Sequence, residues 1–160
     1  MKTHNMFELS KEQINRYKIM SFDKCANYCD KRHSRSSIII SIVTYEGDLK
    51  DRIRVTENNN VKDILYLKFG DLDISDNPSL CMQESDARQI VNFVNKWYEK
   101  IETIIVHCEG GKSRSAGVCA AIMRVKEGSD YPIFRSKNKY PNMTCYLRTL
   151  KAFGYIQSIV

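Results

Sequence analysis

A chain of 160 residues, 42% hydrophobic and 28% charged, has room for one globular core, and a single domain spanning residues 1–160 is expected. No apolar run approaches the roughly 20 residues of a membrane span, and "MKTHNMFELSKEQ" lacks a signal-peptide core, so a soluble, cytoplasmic, monomeric protein is expected. Its net charge of +6 favours anionic partners, and its six cysteines, without an export signal, are expected to be free thiols.

In chain order, "NMFELS" reads as a short first strand, with Ser10 as N-cap of a helix through "KEQINRYKIM". "SSIIISIVTY" is β-branched and almost wholly apolar, the pattern of a strand buried on both faces. The polar, turn-rich residues 46–60 form a surface connection, and "DILYLKF" is the next strand. "DLDISDNPSLCMQ" is a loop by its Asp, Asn, Ser and Pro content. In "ESDARQIVNFVNKWYEK", Ala87, Ile90, Val91, Val94 and Trp97 recur at helical spacing. "IETIIVH" is a third apolar strand, "SAGVCAAIMRVKEG" a small-residue helix, and "NMTCYLRTLKAFGYI" a final amphipathic helix. Strands alternating with helices imply an α/β layer fold with a mostly parallel central sheet flanked by helices.

Chemistry concentrates in "IIVHCEGGKSRSAGVCAA", where a strand runs through a tight loop into a helix N-terminus. The first turn of a helix offers unpaired N–H groups and the positive end of a dipole, which together make an anion site. A thiol placed there ionises readily, so Cys108 is expected to be a thiolate near neutral pH. Gly110 and Gly111 let the loop curl with its amides inward, and the planar fork of Arg114 matches two oxygens of a phosphate-like dianion. The expected phosphate-binding loop is therefore Glu109, Gly110, Gly111, Lys112 and Ser113 around Cys108 and Arg114.

"HCEGGKSRS" matches the pattern H-C-x5-R-S/T, and the chain resembles the compact dual-specificity and tyrosine phosphatases from the strand near residue 38 to the helix near 152. A bare Cys-x5-Arg pattern is common. The preceding His, Gly111, Ser115 and the flanking strand and helix make this one specific. The resemblance implies a dual-specificity phosphatase-like fold and hydrolysis of phosphomonoesters on proteins, on phosphotyrosine and by extension phosphoserine or phosphothreonine. It implies Cys108 as nucleophile, Ser115 as the hydroxyl that helps sulfur leave, His107 as shaper of the loop, and no cofactor or metal. It also implies an aspartate general acid after the preceding strand. Asp71 of "LKFGD" aligns best, with Asp73 and then Asp76 as competitors. Residues 45–60 lie where such enzymes often recognise substrate. Asn142 either caps the last helix or buttresses the signature loop.

Gly-Lys-Ser at 111–113 suggests a nucleotide P-loop, but that motif requires glycine at 106, which is Val. Cys119, among alanines, reads as a core cysteine. Cys25, Cys29 and His33 would share one helical face, but their spacing fits no usual zinc site, and "DKRHSR" reads as solvated charge. Three other activities share the signature: an RNA 5′-phosphatase or phosphoinositide phosphatase, with nucleic acid a less favoured partner than phosphoprotein; a silent module that binds phosphorylated partners; and a sulfur-transfer enzyme.

Overall fold

The structure is a computed structural model that describes residues 8–44, 58 and 60–156. The elements run α1 (Lys11–Asn15), β1 (Tyr17–Met20), α2 (Phe22–Cys29), β2 (Ser37–Val43), β3 (Val61–Lys68) and α3 (Glu84–Trp97). They continue with β4 (Thr103–His107), α4 (Arg114–Glu127), α5 (Tyr131–Phe134) and α6 (Met143–Ala152). The sheet order is β1-β4-β2-β3 with every pairing parallel. Parallel neighbours need crossovers, so the helices cover the faces and every strand points its carboxyl end the same way.

Alternation in the strands explains the two layers. Ile38, Ile40 and Ile42 of β2 and Ile104 and Val106 of β4 pack into one cluster with Ala87 and Ile90 of α3, Val118 and Ile122 of α4 and Leu150 of α6. Ile39, Val43 and Ile105 face the other way, against Phe22, Cys25, Ala26 and Cys29 of α2. All seven residues of β2 are buried, as its apolar run implied, and each isoleucine side chain contributes about 1.5–3 kcal/mol of transfer free energy. On α4, Ala116 to Ala121 are all buried, because small side chains let the helix lie close to its neighbours. Gly117 is the tightest point: a Cβ there would sit 2.4 Å from the Asn142 carbonyl oxygen.

The N-terminal reading needs correction. Ser10 does cap a helix, in a capping box with Gln13, but α1 ends at Asn15 instead of continuing to residue 20. Tyr17–Met20 is instead an edge strand, registered Tyr17↔Ile104 to Met20↔His107, and the Ile104 amide donates to the Arg16 carbonyl at 2.8 Å. Ile14 and Tyr17 suit a helical face, but pairing with β4 wins over that local preference. The strand expected at 5–10 lies largely outside the described residues, and residues 8–10 have no regular structure. Other element ends shift by a few residues, as helix and strand termini commonly do.

All six cysteines are buried, and none is in a disulfide. Among the described residues no helix is long and apolar enough to cross a membrane.

Candidate active site

The carboxyl ends of β4, β2 and β3 lie side by side, and the candidate groups gather there. β4 ends at His107, Cys108 follows, and α4 begins at Arg114, so the intervening loop must reverse within six residues. Gly111 makes the reversal possible with φ of 68°, a left-handed conformation that side chains disfavour. It is also pressed against the β1–α2 junction, where a Cβ would sit 2.5 Å from both Met20 C and Ser21 N. The loop is pinned on two flanks. Phe22 N donates to Glu109 O at 3.1 Å on one side, and Tyr140 N to Lys112 O and Asn142 N to Ser113 O, at 2.8 and 3.0 Å, on the other.

Cys108 is 2% exposed, with Sγ 3.1 Å from Ser115 Oγ. Burial pushes its thiol pKa up. That push is outweighed by the Ser115 hydroxyl, the N–H groups of Ser115 and Gly111 and the Arg114 charge, which together hold the thiol below its ordinary value. Cys119 has no such donors among the described residues, and burial raises its thiol to about 12. Two buried cysteines only eleven residues apart thus differ in kind.

Arg114 reaches across the strand ends. Its Nη1 donates to Thr44 Oγ1, just beyond β2, at 2.9 Å and to the Phe69 carbonyl, just beyond β3, at 2.8 Å. These bonds fix the guanidinium plane, and its buried Nε has no partner among the described residues. A guanidinium oriented through Nη1, with Nε unpaired among the described residues, is prepared for an anion.

His107 is fully buried on the α2 side of the sheet, edge-on to Phe22 at 5.5 Å. Nδ1 lies 3.3 Å from the Cys108 carbonyl, which can only accept, so Nδ1 carries the proton and Nε2 accepts from Ser41 Oγ at 2.6 Å. Burial lowers its pKa to about 4, so the ring is neutral and shapes the backbone at Cys108.

The three aspartates separate cleanly. Asp73 Oδ1 accepts from Ser75 N, Ser75 Oγ and Asp76 N at 3.0, 2.5 and 3.1 Å, and Asp76 accepts from Asp73 N, so both fold their own loop. These bonds, led by the Ser75 hydroxyl, hold Asp73 below the usual carboxylate range. Asp71 turns toward the signature loop, where its Oδ1 accepts from Ser113 Oγ at 2.7 Å and from Asn142 Nδ2 at 3.0 Å. Asn142 caps α6 through Oδ1, which accepts from Cys145 N at 2.9 Å, and its side chain braces the aspartate loop, with Nδ2 also holding the Leu72 carbonyl at 3.1 Å, while the signature loop is met by its backbone N–H at Ser113 O.

Cys25 and Cys29 point into the core, and His33 stacks on Tyr28 at 3.5 Å, so the three do not converge. Residues 45–60, expected to recognise substrate, lie outside the described residues apart from 58 and 60. Sequence reasoning missed Thr44 and Lys139, whose Nζ donates to the Gly111 carbonyl at 2.7 Å. Thr44 could have been suspected as a polar residue at the carboxyl end of a parallel strand. Lys139, within "SKNKY", looks like ordinary surface charge.

No protein-family model matches the sequence, and comparison with curated proteins finds no match. Solved structures do match in fold. Human DUSP28 aligns over 88% of this chain and 93% of its own at 12% identity and a TM-score of 0.57. The PTP-2 phosphatase of Cydia pomonella covers 81% of this chain and 78% of its own at 14% identity and a TM-score of 0.51. The human tyrosine phosphatase-like serine/threonine/tyrosine-interacting protein covers 74% and 77% at 18% identity, also with a TM-score of 0.51. The chain therefore has the compact dual-specificity phosphatase fold, a parallel sheet flanked by helices.

Proposed function

We propose that this chain is a phosphatase that hydrolyses phosphomonoesters on proteins, phosphotyrosine first and phosphoserine or phosphothreonine by extension, within one catalytic domain. The observation that carries the reading is Cys108: a buried thiol held toward its ionised form beside an arginine whose Nε has no partner among the described residues.

In the first step Cys108 Sγ attacks phosphorus and the bond to the leaving oxygen breaks, giving a cysteinyl-phosphate. Arg114 and the loop amides stabilise charge on the equatorial oxygens. Asp71 gives its proton to the leaving oxygen; its Oδ2 accepts no hydrogen bond among the described residues, while Oδ1 is held by Ser113 and Asn142. In the second step the Asp71 carboxylate takes a proton from water as the water oxygen attacks phosphorus. The S–P bond breaks, inorganic phosphate leaves, and the Ser115 hydroxyl stabilises the returning thiolate at 3.1 Å.

A second reading, a 5′-phosphorylated RNA or phosphoinositide substrate, is favoured by one feature. Lys112 on the signature loop and Tyr140, whose amide is bonded to the Lys112 carbonyl, are both exposed, a cation and an aromatic ring on neighbouring backbone. Hydrolysis of an aryl phosphate by the wild type and its loss in Cys108→Ser is the expected result. Turnover surviving in Cys108→Ser would remove Cys108 as the nucleophile, and none in the wild type would sink the enzymatic reading and leave a phosphate-binding module. Rates on phosphotyrosine peptide, phosphothreonine peptide and 5′-triphosphorylated RNA then rank the substrate classes.

A further inference from the structure

Lys139 belongs to no motif and lies in the connection between α5 and α6, yet it is bonded to the centre of the signature loop. Gly111 is held on three sides. Its N–H is hydrogen-bonded to the Cys108 sulfur, its backbone presses on Met20 and Ser21, and its carbonyl accepts from Lys139 Nζ at 2.7 Å. In a trans peptide the carbonyl and the following N–H point in opposite directions. Anchoring the Gly111 oxygen outward therefore aims the Lys112 N–H into the loop. The lysine is itself constrained: half-buried, it lies with Ile133, Ser136, Cys119 and Met123 at the wall of a small cavity behind the loop. The adjacent Tyr140 amide is tied to Lys112 O.

We propose that Lys139 is a positioning residue of the signature loop, holding the Gly111–Lys112 peptide with its N–H toward the anion site and adding a second positive charge, after Arg114, to the field at the Cys108 sulfur. The proposal rests on Cys108 as nucleophile and deepens that reading.

The groups that set this field are few. Around Lys139 stand Lys24 from α2, Lys112 from the loop, and the thiols of Cys108 and Cys119. Around Cys108 stand Arg114, Lys139 and the buried thiol of Cys145, which in turn feels the charge of Asp71. Burial first, then Lys24 and Lys112, hold the Lys139 ammonium below its ordinary value, while the Cys108 charge pulls it back up. Ammonium and thiolate therefore favour each other's charged forms.

The test is the rate of Cys108 alkylation by iodoacetamide, a neutral reagent, across pH about 4 to about 9 in the wild type, K139M and K139R, with the labelled residue identified by mass spectrometry. The midpoint is expected to rise by about 0.5–1 pH unit in K139M and to stay at the wild-type value in K139R. An unchanged midpoint in K139M overturns the proposal, as does a K139R midpoint equal to that of K139M. Where K139M fails to fold, K139Q, which keeps a donor but no charge, is read by the same criterion. Alkylation needs no turnover. A wild type that alkylates at low pH but hydrolyses nothing therefore counts against the phosphatase reading and not against the role of Lys139.

Discussion

Asn142 and Asp71, 71 residues apart in the chain, are joined by a 3.0 Å hydrogen bond from Nδ2 to Oδ1. Through it the first residue before α6 sets the position of the aspartate loop, which Ile74 N reinforces by donating to Thr144 Oγ1 at 3.1 Å. The same asparagine receives Cys145 N on its other side, so one side chain couples helix cap and candidate acid. The bond also separates Asp71 from its neighbours in an aspartate-rich segment.

Asp71→Asn keeps the shape of the carboxyl but cannot release a proton. Turnover of an alkyl phosphate or another poor leaving group should fall by about 10²-fold or more, while an activated aryl phosphate, which leaves without protonation, should be affected far less. Asp73→Asn, which loosens only the turn closed by Ser75 and Asp76, should show no such dependence on the leaving group. Turnover measured against leaving-group pKa for the two variants decides the assignment. The reverse ranking would transfer the acid to Asp73.

Gly111→Ala tests whether the loop must curl at that residue. A left-handed alanine costs about 1–2 kcal/mol. Here the new methyl also meets backbone atoms of Met20 and Ser21 at 2.5 Å, which cannot swing aside like the tip of a side chain. The thermal midpoint should fall by at least about 2–8 °C, and the Cys108 alkylation midpoint should rise as the Gly111 amide leaves the sulfur. Wild-type values for both would mean the loop tolerates another path.

His107 makes stability depend on pH. Its folded pKa of about 4 lies below the ordinary imidazole value, so the unfolded chain binds more protons between the two. The resulting stabilisation is fully present above about 6.5 and is lost as pH falls toward the folded value, a loss of about 2 kcal/mol by pH 5. Cys108, also depressed, acts in the same sense at higher pH: its contribution is present above the ordinary thiol pKa and fades as pH falls through the folded one. Urea titrations of the wild type and His107→Asn at about pH 7 and about pH 5 should show the wild type losing more stability on acidification. Equal losses would mean that His107 is not held neutral in the fold.

What the sequence determined by itself was chiefly what is local. Cys108, Gly111, Arg114 and Ser115 sit within eight consecutive residues between an apolar strand and a small-residue helix, so their chemistry could be read before any long-range contact was known. The fully buried β2 and the face of α3 were legible for the same reason, since their periodicities are written into adjacent residues. Tyr17–Met20 was misread because its four residues carry no strand pattern until β4 lies beside them. The resemblance ranked Asp71 ahead of Asp73, but only the tertiary structure could bring it to Ser113 and Asn142, or Lys139 to Gly111. A hydrogen bond between residues tens of positions apart depends on where two turns place their ends, and no spacing along the chain encodes that placement.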